Sequence, residues 1–87
     1  MSDYIELKDI AEKLSPMTQK ILKHMSNKEN VTLEELYSIS SFNKTKLFET
    51  LKWLDIIGLI ERQKDEKNES KKIYMNTEIG DNIVKYF

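Results

Sequence analysis

The sequence has no cysteine, one proline, two glycines and one histidine among its 87 residues. Without cysteine, no disulfide framework and no thiolate metal site can form. A reducing compartment suits such a chain, and a cytoplasmic location is expected. Two glycines, Gly58 and Gly80, are too few for a glycine-rich phosphate cradle. The lone His24 supplies no His-Glu-x-x-His zinc motif, and no Gly-x-Ser-x-Gly stretch carries a nucleophile. The acidic pairs Glu34-Glu35 and Asp65-Glu66 lack the spacing of a calcium loop. No catalytic residue, metal ligand or cofactor site is therefore expected, and the chain is read as a non-enzyme. No apolar run approaches the ~18 residues of a membrane span. The start, Met1-Ser2-Asp3-Tyr4, has no basic stretch leading into an apolar one, so neither a membrane partner nor a signal peptide is expected.

Charge of one sign is also missing in excess. The formal net charge is −1, which weighs against nucleic acid unless the cations are gathered in one place. They are, modestly. Residues 43–72 hold eight basic against six acidic side chains, whereas residues 1–35 hold five against seven.

Hydrophobic residues make up 39% of the chain and charged ones 33%, the balance of a folded globular domain. One domain spanning 1–87 is expected. Tyr4, Leu7, Ile10, Ala11 and Leu14 recur at helical spacing over 3–14. Ser15-Pro16 is an N-cap followed by a proline at the first helical position. It opens a helix to about Met25 with Met17, Ile21, Leu22 and Met25 inward. Residues 26–30 form a polar loop. Thr32-x-x-Glu35 is a capping box that starts a short helix ending near Ser40. After the tight connection Ser40-Ser41-Phe42, Asn43 caps a helix over about 43–57. Its Leu47, Leu51 and Leu54 share a narrow arc; Thr45, Glu49, Lys52 and Ile56 lie opposite. Gly58 suits the C-cap. Leu59–Gln63 and Lys71–Met75 read as two strands around a charged turn. Thr77 caps a last helix over 77–87.

The predicted order places a helix-turn-helix directly before a two-stranded hairpin. That makes an α+β, mainly α winged helix, with a core over 16–76 and flanking helices at 3–14 and 77–87. The segment from Leu36 to Thr45 resembles the helix-turn-helix of bacterial and archaeal winged-helix regulators. Gly58-Leu59-Ile60-Glu61-Arg62 is similar to the Gly-Leu-Ile-x-Arg that opens the wing in the MarR, ArsR and PadR families. Thr77-Glu78-Ile79-Gly80 is similar to the Thr-x-x-Gly that follows their second wing strand. The resemblance spans roughly 16–87 and implies a DNA-binding transcriptional regulator. The chain departs from it at Asn76, where leucine is usual, and at Ser41, where the turn glycine is usual. It also has Asn68-Glu69-Ser70 where MarR proteins often carry Asp-x-Arg.

On this reading the 43–57 helix enters the major groove and the hairpin flanks it. The expected DNA-binding residues are Asn43, Lys44, Thr45, Lys46, Glu49 and Lys52 on the helix, with Arg62, Lys64, Lys71 and Lys72 on the hairpin. Glu49 would repel phosphate but accept from a cytosine amino group; it suits a surface pair with Lys46 or Lys52 equally well. Trp53 and Ile56 point away from the leucine stripe. They are expected beneath another element, such as the 3–14 helix, or beneath a partner chain. With the apolar end Tyr86-Phe87 they form the expected partner interface, a homodimer. The alternative to DNA is a winged helix that binds another protein within a nucleic-acid-processing complex. The acidic Glu49 and the apolar Trp53 and Ile56 favour that reading.

Overall fold

The computed structural model describes residues 3–65 and 67–87, with side chains described for 7–64, 67 and 72–87. Helices α1 (Asp3–Lys13), α2 (Pro16–Met25), α3 (Leu33–Ile39), α4 (Lys44–Ile56) and α5 (Glu78–Ile83) are joined by strands β1 (Val31–Thr32), β2 (Ile60–Asp65) and β3 (Asn68–Asn76). A 3₁₀ turn, Val84–Tyr86, follows α5.

Four helices begin where a side-chain cap satisfies an orphan backbone N–H. Ser15 Oγ accepts from Thr18 N, Thr32 Oγ1 from Glu35 N, Asn43 Oδ1 from Lys46 N and Thr77 Oγ1 from Gly80 N. The capping box at Thr32 is only half used. Glu35 does not reach back; its carboxylate meets His24 of α2, with Lys28 Nζ at 3.8 Å. The histidine thus ties α2 to α3.

The sheet has an element the sequence did not announce. Val31 and Thr32 pair antiparallel with Tyr74 and Ile73, giving the order β1-β3-β2. The hairpin itself also runs further toward its tip than expected, to Asp65 and from Asn68, with an irregularity between Lys64 and Asp65.

One core serves all layers. Ala11 of α1 and Leu14 just after it, Ile21, Leu22 and Met25 of α2, Leu36 of α3 and Leu47, Leu51 and Leu54 of α4 meet Leu59, Ile60, Tyr74 and Ile83. Asn76, the departure from the usual leucine, is buried in it. Its Nδ2 donates to Leu22 O at 3.1 Å and to Asp81 Oδ1 at 3.0 Å, which links α2, β3 and α5.

The two glycines are fixed by different constraints. Gly58 has φ +87 and open space around it, so an added Cβ is penalised only by backbone handedness. At Gly80 a Cβ would stand 2.0 Å from Leu59 O, a collision with backbone. Gly58→Ala is expected to cost about 1–2 kcal/mol. Gly80→Ala is expected to cost more, about 3 kcal/mol or above, because helix and strand must separate. Urea unfolding of the two variants beside the parent checks the ranking.

Candidate nucleic-acid interface

Helix α4 buries Leu47, Thr50, Leu51 and Leu54 and leaves the rest of its circumference to solvent. Asn43, Lys44, Thr45 and Lys46 are exposed at its N-terminus, and Glu49 and Lys52 further along. Asn43 is engaged as the cap, at 2.8 Å from Lys46 N. The two N-terminal lysines are steered rather than free. Lys44 Nζ lies 5.8 Å from the centre of the Tyr37 ring on α3, and Lys46 Nζ 5.8 Å from that of Phe42 in the turn. Ring quadrupoles attract the ammonium groups weakly at such exposed positions and draw one toward each flank of the helix end.

The hairpin adds three cations on one face. Opposed residues of an antiparallel pair project to the same side, and alternate pairs share it. Ile60 opposes Asn76, Arg62 opposes Tyr74 and Lys64 opposes Lys72. The first pair is buried in the core, so the third points along the same face beyond it. Arg62, Lys64 and Lys72 are all exposed. Two lysines directly opposite each other repel unless an anion sits between or over them. Lys71 lies on β3 beside them, and its side chain is outside the described residues. A groove of about 440 Å³ separates the hairpin from α4, lined by Phe48, Leu51, Lys52, Ile56, Arg62 and Tyr74 among others.

No protein-family model matches the sequence, and no curated protein matches it. Solved structures do. The crystal structure of MarR superposes with TM-score 0.73 at 25% identity, over 83% of this chain and 53% of that one. The transcriptional regulator SlyA gives TM-score 0.76 at 25% identity, over 93% and 56%. FabT of Streptococcus pneumoniae, crystallised in complex with DNA, gives 0.76 at 18% identity, over 85% and 52%. The fold is a winged helix. The chain spans about half the length of these regulators, and β2–β3 is its wing.

Against the winged-helix frame, the exposed apolar residues divide. Trp53 is 47% exposed and Ile56 72%. Helix α1 does not cover them: it packs on α5 and the terminal 3₁₀ turn, and only its C-terminal end approaches the shallow pocket beside Trp53. The expectation of an intramolecular cover is therefore corrected, because α1 spends its apolar face on the other terminus. Tyr86 is exposed as expected, whereas Phe87 is half-buried and packs against the core, so it contributes to folding rather than to an open surface. Two residues escaped the sequence reading. Phe48 is 51% exposed on α4, and Tyr37 on α3 carries Lys44. A helical-wheel position flanking the leucine stripe was the available signal for Phe48. Among the described residues no cluster of His, Asp and Glu could hold a metal ion, and no helix is long and apolar enough to cross a membrane.

Tyr74 joins the wing to the core. Its ring is buried, and burial raises its phenol pKa above the ordinary 10.0. The neighbouring Arg62 guanidinium opposes that rise, and the charge of Asp55 adds to it. A raised folded-state pKa means the folded chain holds this proton more tightly than the unfolded one. Its contribution to stability is intact below pH 10 and is lost as pH rises through the folded value. Tyr74→Phe removes the titration and keeps the ring. Unfolding in urea between pH 8 and 11 should show a shallower alkaline loss of stability in the variant than in the parent; equal slopes would contradict the assignment.

Proposed function

We propose that the chain is a DNA-binding transcriptional regulator that places α4 in the major groove and the wing along the adjacent backbone. One observation carries the reading: Lys64 and Lys72 are directly opposed on the wing face that also bears Arg62, toward the exposed side of α4. Phosphate is the anion that relieves such a pair in a fold shared with transcriptional regulators. Lys44 and Lys46, set on either flank of the helix end, fit the two edges of the groove. Thr45, Glu49 and Lys52 then face the bases, Lys71 adds to the wing charge, and Asn43 acts through its cap. The chemistry needed is binding alone, so the protein is proposed to work without cofactor or catalysis, in the cytoplasm, as a single domain with its core over 16–76.

Salt dependence tests this directly. Five cations each neutralising one phosphate give a slope of log K against log salt of about −4.5. The double variant Lys64→Ala, Lys72→Ala should lower the steepness by about two. Gel-shift titrations with random duplex at several salt concentrations measure both. An affinity that ignores salt would remove the proposal and favour the second reading, a protein-binding module, for which the exposed Trp53 and Ile56 are the supporting observation.

A homodimer is the proposed assembly, built on the terminal helices, where Ile79 and Tyr86 are about half exposed. Two copies would read two half-sites. Sedimentation equilibrium at high micromolar concentration should return twice the chain mass of 10.3 kDa; a monomer mass there would rule the dimer out.

A further inference from the structure

The face of α4 opposite its buried leucines carries Thr45, Glu49, Lys52 and Ile56 at helical positions i, i+4, i+7 and i+11, with Phe48 on its flank toward Leu51. All five are exposed, Phe48 at 51% and Ile56 at 72%. Its chemistry is unusual for a base-reading surface. Lys44–Ile56 contains no arginine, asparagine or glutamine. The chain's only arginine is Arg62, on the wing. The side chains that grip guanine or adenine bidentately are thus missing from the helix. Lys44 and Lys46 lie on its flanks near Tyr37 and Phe42, where they border Phe48 and Glu49 respectively. What remains is a phenyl ring, a threonine methyl, an isoleucine, one carboxylate and one ammonium.

The major-groove edges sort themselves against that set. A thymine·adenine pair offers the thymine 5-methyl group for apolar contact and the adenine amino group as a donor. A guanine·cytosine pair offers an amino group and two acceptors, and no methyl group. Glu49 accepts from the amino group of adenine or of cytosine, and both pairs also present acceptors that it repels, so it does not decide between them. Phe48 and Ile56 gain only from methyl groups; the Thr45 methyl group does the same, while its hydroxyl can hydrogen-bond either pair. Lys52 alone prefers guanine acceptors, one donor against three methyl-seeking neighbours.

Resting on the DNA-binding reading above, we infer that this stripe selects thymine by its 5-methyl group, with Phe48 and Thr45 as the specificity-determining contacts. The basic residues on both sides argue that duplex DNA is what covers this apolar face. Lys44 and Lys46 flank the helix end, and Arg62, Lys64 and Lys72 line the wing face.

The test uses the full chain and a randomised duplex library, selected by binding and sequenced. Sites enriched in thymine are expected. The best duplex is then resynthesised with deoxyuridine in place of each enriched thymine, which deletes only the methyl group. Affinity should fall about fourfold per methyl contacted, the equivalent of one buried methylene. Phe48→Ala should bind the thymine and uracil duplexes more nearly alike than the parent does. Equal affinity of the parent for both duplexes, or enrichment of guanine steps instead, overturns methyl readout while leaving DNA binding standing. Failure to bind any duplex at low salt overturns both.

Discussion

The structure turns on one joint, the backbone meeting of Gly58-Leu59 with Thr77 and Gly80. Gly58 ends α4 with a positive φ, and Leu59 N closes on Leu54 O at 2.9 Å. Thr77 then closes the far side. Its Oγ1 donates to Gly58 O at 2.7 Å, its N donates to Leu59 O at 3.0 Å, and the same Oγ1 caps α5. Gly80 has no side chain because Leu59 O occupies its place. The helix that ends at Gly58, the strand that starts at Ile60 and the helix that starts at Glu78 are thereby locked at one point. The angle between α4 and the wing is set there, and so is the groove between them. The two short motifs that bracket the wing in the sequence, Gly-Leu-Ile-x-Arg and Thr-x-x-Gly, are the two halves of this joint.

This explains what could be read in advance. Helix starts were legible because capping is local: Ser15, Thr32, Asn43 and Thr77 act within three residues. The α4 leucine stripe was legible for the same reason, since its periodicity is set along one helix. Strand β1 was not. Two residues have no pattern of their own, and Val31–Thr32 become a strand only because β3 presents Tyr74 and Ile73 to them. The outer hairpin was hidden by its charged composition, which disfavours strand on propensity and is held by ladder pairing instead. At the candidate site, the types and order of the basic residues were visible. The cross-strand opposition of Lys64 and Lys72 was not, because register depends on the turn. Asn76 looked like a defect in the motif; three-dimensional neighbours turn it into a tie between α2 and α5.

Low net charge and a basic binding face are compatible when cations are placed rather than accumulated. Acidic residues outnumber basic ones in the first 35 positions, although Glu34 borders the pocket that Lys44 and Phe48 line. Among the residues of α4 and the wing whose side chains are described, Glu49, Asp55 and Glu61 interrupt the basic set. Asp55 acts through the Tyr74–Arg62 contact, and Glu61 falls on the opposite strand face from Arg62 by alternation. Glu49 and Asp55 both border the groove between α4 and the wing, beside Lys52 and Arg62. A face with few cations draws little non-specific affinity from phosphate, because that affinity scales with the number neutralised. Its discrimination must then come from groups that read base edges. The apolar side chains on α4 are exposed at a solvation cost that the fold does not recover, since the core closes without them. Such exposure is retained where a partner surface removes it from water. On the proposed DNA-binding reading that partner is a major groove, its phosphate edges against the flanking basic residues and methyl groups on its floor.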